Sequence, residues 1–401
     1  MFTIALVFLL LTLNERHALS WTYYSSTCQA RNQHLKNVKA NTIIKNAATS
    51  AAERIAGHNV IDSDESFVDC LMTHLKGQMS RCRFADGLAI ISRESSSERE
   101  VQFSGTASPG DELVFISIEE FITEVQGKET SVGKALESFL SKNPHVHALV
   151  AEAISSIYIA ILLSLSRKET RQRNREVLDF LSSRYSSYFD TLPSHQDLSH
   201  IPVFWSNKVI QSLQNSHIKV GIQERLRRWK AEFNIICTAA QTDNVDFVDF
   251  DTYIWARSII CSRAFDMPAE SGGVCLVPFI DMLNHHVKSS YNPSNKVVLE
   301  EKLGSTTLRP VPARKCDWHL DENGFFLTVP FPENDSLRSS LSNEKWKWNG
   351  EGNPIPIEIS YGSHSNAQLL MNYGFAVLED SSQTILEQVS YMDPICYNPR
   401  F

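Results

Sequence analysis

The stretch LVPFIDMLNHH, Leu276–His286, decides how this chain is read. An apolar, strand-like run ends in Asp281 and then sets Asn284, His285 and His286 side by side. A carboxylate, an amide and two imidazoles at the end of a buried strand admit three kinds of chemistry. They can hold a metal, move a proton, or lock backbone beside a ligand. This stretch alone leaves all three open.

The rest of the chain narrows the field. Its 401 residues, 42% hydrophobic and 21% charged, suffice for a real core and two or three domains. A net charge of -8 argues against a general nucleic-acid binder, which needs clustered Lys and Arg, and suits a basic protein partner. None of the eight cysteines forms a CxxC pair, so a zinc ribbon or finger is not expected. They read as reduced, partly buried thiols.

Residues 1–20 resemble a signal peptide: Ile4 to Leu13 is apolar but too short to span a bilayer, and Ala18 and Ser20 suit a cleavage site. From Trp21 to Ile61, Arg31, Lys36, Lys39, Lys45 and Arg54 face the single acid Glu53, so residues 21–62 read as a transit-peptide-like leader. Together they give the bipartite address of a secondary plastid. The alternative is a plain secretory signal with a polar linker.

Strands are expected at Gly87–Ser92, Glu112–Ser117 and Phe325–Val329. Arg93 to Pro109 between the first two is polar and Ser-rich, hence a loop. Leu149–Leu165 is apolar almost all round; Glu152 and several serines interrupt it, so a buried core helix is expected rather than a membrane span. Val220–Phe233 and Asp246–Arg257 carry helical patterns. Lys345 to Gly350, with Trp346 and Trp348 between lysines, reads as an exposed loop. Strands, then helices, then strands give an α+β class.

Two further stretches answer the first. One is EISYGSHSNAQLLMNYGFAV, Glu358–Val377: a strand ending at Tyr361-Gly362, a turn, a helix from Ser365 to Asn372, then Tyr373-Gly374-Phe375. The other is Trp255-Ala256 followed by Cys261-Ser262-Arg263-Ala264-Phe265. In this order the three are similar to the signature of SET-domain methyltransferases. More narrowly they resemble the branch typified by the plastid RuBisCO large-subunit lysine methyltransferase. Pro109–Leu113, Phe121–Thr123, Ser187–Pro193, Ile201–Trp205 and Leu213–Ser216 add to the likeness, which covers about residues 65 to 380.

The resemblance implies a SET β-fold of small sheets with a threaded, pseudoknot-like crossing, interrupted by a helical insertion. It places the N-terminal part of the SET domain at 63–117, the insertion at 118–255, the C-terminal part at 256–378, and a stub of a substrate-docking domain at 379–401. It implies S-adenosyl-L-methionine as cofactor and a protein substrate carrying a target lysine, with no metal, no nucleic acid and no stable membrane association.

Residue by residue, the resemblance implies that Gly87 and Leu88 present backbone to the donor and that Arg263 lies against it. Asp281 orients the turn that carries Asn284 and His285. The backbone of that pair holds adenine, and the Asn284 side chain meets the donor's amino group. Tyr361 is the catalytic residue and also borders the cofactor. Tyr373 and Phe375 line the lysine channel or stack near adenine. Phe265, an apolar ring where a histidine-methylating branch carries an amide, implies a lysine acceptor. His286 is expected at the surface.

Asp281, His285 and His286 lack a further convergent ligand for a metal, and no nucleophile elbow surrounds Ser360 or Ser363 for a hydrolase triad. Two turns depart from the family pattern: Phe84-Ala85-Asp86-Gly87-Leu88 keeps one Gly and adds an acid, and Asn353-Pro354-Ile355-Pro356 replaces a Gly-Glu turn. These departures and the short C-terminus keep an alternative in view, a non-catalytic SET-fold module that binds a partner or the cofactor without transfer.

Overall fold

The computed structural model describes residues 64–77, 81–92, 99–167, 185–214, 216–268, 272–286, 313–331 and 347–377. The leader segments 1–20 and 21–62, the Ser-rich residues 93–98, the C-terminal segment 379–401, and Lys345 and Trp346 lie outside the described residues.

Helix α1 (Asp64–Gly77) leads into five strands: β1 (Cys82–Phe84), β2 (Leu88–Ser92), β3 (Arg99–Phe103), β4 (Thr106–Ala107) and β5 (Glu112–Ser117). In β5, Leu113 to Ile116 are all buried. A run of four buried apolar residues is the pattern of a strand covered on both faces.

Helices follow: α2 (Glu124–Glu129), α3 (Ser131–Lys142), α4 (Pro144–Val150) and α5 (Ile154–Ser166). Thr123 and Gln126 close a capping box at α2, and Thr130 accepts the Gly133 N–H at α3. The apolar run expected as one helix over Leu149–Leu165 is two, divided by a 3-10 turn at Ala151–Ala153. Every residue from Ser155 to Ser166 of α5 is buried, which explains an apolar composition without a polar face.

Helices α6 (Ser186–Thr191), α7 (Asn207–Ser212), α8 (His217–Thr242) and α9 (Phe250–Arg263) complete the block. Helix α9 begins four residues after the expected Asp246 because the Asp249 carboxylate accepts the Thr252 N–H at 2.7 Å and caps it there. The expected junction between residues 255 and 256 falls inside this continuous helix.

The remaining strands are β6 (Phe265–Asp266), β7 (Val274–Cys275), β8 (Asn284–His285), β9 (Arg314–Leu320), β10 (Gly324–Thr328), β11 (Trp348–Asn349) and β12 (Ile355–Ile359), then helix α10 (Asn366–Tyr373). Eight strands join in one path, β1-β5-β10-β9-β12-β3-β2, with β8 beside β12, and β4–β11 and β6–β7 form two small two-stranded sheets. Strand β12 makes the joins. It is antiparallel to β3 at Ile355↔Phe103, parallel to β9 at Ile359↔Cys316, and parallel to β8 at Glu358↔Asn284 and Ile359↔His285. A strand near the end of the described chain is thereby inserted between strands that all precede it, one of them by about 250 residues.

Two readings are corrected here. The stretch Arg93 to Pro109, expected as a loop, contains β3 and β4, because Val101, Phe103 and Ala107 are buried apolar residues between its polar ones. Trp348 is not exposed: it is 3% accessible, paired through β11 with β4, and packed on Phe103 at 6.5 Å between ring centroids. Its lysine neighbours suggested solvent, but alternate residues of a strand face opposite sides.

Candidate active site

The register of β12 against β8 sets Asn284 and His285 level with Glu358 and Ile359, two residues before Tyr361. The backbone N–H of Tyr361 donates to His285 Nδ1 at 3.1 Å, and the Tyr361 hydroxyl donates to the Leu283 carbonyl at 2.7 Å. Residues about 76 positions apart are thus tied by two bonds.

The first bond fixes a protonation state. A backbone N–H can only donate, so Nδ1 must offer its lone pair and the ring is the neutral Nε2–H tautomer. Burial, with His364 and His286 nearby, lowers the His285 pKa in the same direction. The second bond leaves the Tyr361 oxygen with lone pairs and no proton to give elsewhere. Burial raises the Tyr361 pKa, so the hydroxyl stays protonated at neutral pH.

Arg263 and Asp281 form the floor. Arg263 Nη1 donates to the Asp281 carbonyl at 2.9 Å and lies 3.3 Å from Oδ2. The Asp281 side chain is fully buried, and its Oδ2 also accepts the Tyr188 hydroxyl at 2.7 Å. Burial raises the Asp281 pKa, while Arg263 and Tyr188 pull it back. The Asp281 carboxylate faces Arg263 and Tyr188 and ties this turn to both.

Asn284 is exposed, and its side-chain N–H donates to the Arg99 carbonyl at 3.1 Å. The side chain thus ties β8 to β3, and its Oδ1 is the group left to meet a ligand. On the adjoining hairpin, Gly87 has φ 87°, and its carbonyl accepts from the Ser104 N–H and hydroxyl. A Cβ there would fall 2.8 Å from Gly105 N and Ser104 Oγ, so only glycine lets β2 turn this closely. The Leu88 side chain is buried, which leaves its backbone as the surface toward the site. Asp86 is exposed beside it.

Aromatic rings form the walls. Tyr361 lies 4.7 Å from Tyr373 and 5.0 Å from His285, and Phe375 lies 6.0 Å from both Tyr373 and His285. Burial pushes the Tyr373 hydroxyl up to about 12. Phe265 belongs to a second group, edge-on to Phe325 at 5.1 Å and Trp318 at 5.6 Å. Trp318 Nε1 donates to the Ser360 carbonyl at 3.0 Å, which joins the two groups at the residue before Tyr361.

His286 is a correction. It is half-buried, its Nδ1 is 3.0 Å from Glu358 Oε2, and its N–H donates to the Ile359 carbonyl at 2.8 Å. The parallel pairing of β8 with β12 extends through it. Asp281, His285 and His286 thus face three different partners and do not converge as metal ligands. Sequence reasoning did not single out Tyr188, Leu283, Arg99 or Trp318 for the site. Tyr188 was signalled only as part of the Ser187–Pro193 motif; the others act through backbone or from segments without a motif.

A late strand threaded between earlier ones, a helical block between β5 and β6, and three motifs meeting at one turn define a SET fold with a helical insertion. The sequence comparisons agree. Over 288 residues the chain is 23% identical to the ribosomal lysine N-methyltransferase set10 of Schizosaccharomyces pombe, covering 71% of this chain and 40% of that protein. Over 139 residues it is 27% identical to Protein SET DOMAIN GROUP 40 of Arabidopsis thaliana, covering 35% of this chain and 26% of that protein. The chain thus matches less than half the length of either relative.

Among solved structures it is similar to the SET domain of LSMT bound to lysine and AdoHcy. That match has a TM-score of 0.49 and 16% identity, over 79% of this chain and 58% of that one. It is also similar to Rubisco LSMT bound to AdoMet, with a TM-score of 0.47 and 16% identity, over 78% and 56%. No protein-family model matches. By name, the two curated relatives are a lysine N-methyltransferase and a SET-domain protein.

Proposed function

We propose that this protein is a protein-lysine N-methyltransferase that takes its methyl group from S-adenosyl-L-methionine. The observation that carries the reading is the double tie of Tyr361, through its N–H to His285 and through its hydroxyl to the Leu283 carbonyl. It gathers the three motifs at one point and leaves an oxygen acceptor there.

The residues fit such a donor. Arg263 offers a guanidinium held in place by Asp281 to a carboxylate, Asn284 offers Oδ1 to an ammonium, and the Gly87–Leu88 backbone allows close approach. When bound, the donor supplies a methyl already activated by sulfonium charge, so no metal or protein nucleophile is required.

The work of the protein is alignment and exclusion of water. The Tyr361 oxygen, its own proton committed to Leu283, accepts from polarised C–H groups in the transition state. Tyr373, Phe375 and Phe265 offer apolar walls. Desolvation there lowers the pKa of an incoming lysine amine, which must attack unprotonated. With the donor bound, the unprotonated amine held by these walls would take the methyl group in a single displacement, the carbon–sulfur electron pair leaving with the donor. The surplus amine proton leaves to solvent. The lysine methyltransferase relative supports the acceptor, and a protein substrate follows from the same reading.

The test is transfer of labelled methyl from S-adenosyl-L-methionine into proteins of a plastid or cell lysate, comparing wild type with Tyr361→Phe. Wild type is expected to label a discrete protein band. The variant is expected to lose about 100-fold in rate while retaining cofactor binding, the scale of removing one oriented polar group from a transition state. Cofactor binding by wild type with no transfer to any protein would instead identify a non-catalytic module.

A further inference from the structure

Resting on that reading, we propose that the cavity between α8, α9 and α10 is an anion subsite. It takes the side-chain carboxylate of an acidic residue close to the acceptor lysine.

The cavity has a volume of about 120 Å³. That is room for one acidic side chain, or for about four waters at roughly 30 Å³ each. Three arginines line it, Arg225, Arg228 and Arg257, around Trp229. In a chain of net charge -8 this is a local reversal of sign. The guanidinium carbons of Arg225 and Arg257 lie 5.7 and 5.6 Å from the Trp229 ring centroid, so one indole holds two cations near each other.

Each arginine is built in differently. Arg225 is fixed to α10 by bonds to the Met371 carbonyl at 2.6 Å and Asn372 Oδ1 at 2.7 Å. Arg257 is 3% exposed. Its Nε lies 3.3 Å from Glu232 Oε2 but makes no hydrogen bond, while Tyr253 donates to that same oxygen at 3.0 Å. Arg228 is exposed at the rim and has no ion-pair partner among the described residues. The one lining carboxylate, Glu224, is paired with Arg227. Planar guanidinium forks suit a carboxylate better than a point charge does.

The placement names the ligand. The far wall is Cys261, His364, Met371 and Asn372, and Asn372 directly precede Tyr373 of the proposed lysine channel. The His364 ring is 6.0 Å from the Tyr373 ring. An extended peptide advances about 3.3 Å per residue, so a lysine beside Tyr373 puts a residue about two positions away at the cavity.

The probes are two fluorescein-labelled peptides with one central lysine, identical except for Glu or Gln two positions to either side. Binding to the full chain is read by fluorescence polarisation at low salt, for wild type, Arg228→Gln and Arg228→Lys. The Glu peptide is expected to bind wild type about 10-fold tighter, the scale of one charge-assisted hydrogen bond. Arg228→Gln should shrink that preference to about 3-fold or less, and Arg228→Lys should keep part of it. Equal binding of the two peptides, undetectable binding of both, or a preference unmoved by Arg228→Gln overturns the subsite. Labelled-methyl transfer to the same peptides separates the two claims. A Glu preference with no methylation of either peptide counts against the methyltransferase and leaves the subsite standing.

Discussion

His285 is held neutral by the bond it accepts. Protonation at Nδ1 would set an N–H against the Tyr361 N–H. The folded pKa lies below the ordinary 6.5, so the unfolded chain takes up this proton first. The stabilising contribution is therefore complete above about 6.5 and falls as pH drops from there through the depressed folded value. We predict that wild type loses both stability and cofactor affinity on the acid side of pH 6.5, and that His285→Ala flattens this arm of the profile, read by urea midpoints against pH. At the same scale, Asp281→Asn removes the carboxylate under Arg263. Breaking a buried pair costs about 3–5 kcal/mol, and with Arg263 19% exposed the lower end is expected. Tyr188→Phe should cost less, about 1.5–3 kcal/mol for one bond to a charged group and toward the lower end because Arg263 still faces that oxygen. If Tyr188→Phe costs more than Asp281→Asn in urea unfolding, the ordering argued for this cluster is wrong.

Among the elements, α10 shows how a short helix is pinned at both ends. Ser365 and Gln368 form its capping box, and Gly374 ends it in the left-handed region at φ 78°. A Cβ on Gly374 would fall 2.1 Å from the His200 ring. Gly374→Ala is expected to cost at least about 1–2 kcal/mol from the backbone alone, seen as a lower thermal midpoint. An unchanged midpoint would mean that the turn and His200 both move freely. The elements also show what a sequence can reveal. Strand β5 was legible at its observed limits because Leu113–Ile116 are buried on both faces and Glu112 and Ser117 bracket them. The α4–α5 break was not, because apolar periodicity cannot see a 3-10 turn of Ala151, Glu152 and Ala153. At the site, Asn284, His285 and Tyr361 were legible as side chains in motifs. Leu283 and Arg99 were not, since they act through carbonyls that any residue could supply. Trp348 misled because its burial is set by a partner strand about 240 residues away.

For the whole molecule, β12 is the strand on which the rest depends. It joins the β2–β3 hairpin to β9 and sets β8 in register, so the site exists only once pairs such as Ile355↔Phe103 have formed. Such distant pairings form late and cooperatively. A chain ended after Pro354 should lose its cooperative thermal transition by circular dichroism. A transition at the full chain's midpoint would show that β12 is dispensable. The helical block acts at this scale too: Tyr188 reaches from it to Asp281, so the insertion braces the site from behind.

The central claim is that Arg263, Asn284, His285 and Tyr361 surround one sulfonium cofactor. Isothermal titration of the folded full chain with S-adenosyl-L-methionine tests it most directly. The predicted result is saturable one-to-one binding that is weakened by Arg263→Ala and retained by Tyr361→Phe. No heat from a folded sample at cofactor concentrations up to about 1 mM would contradict it.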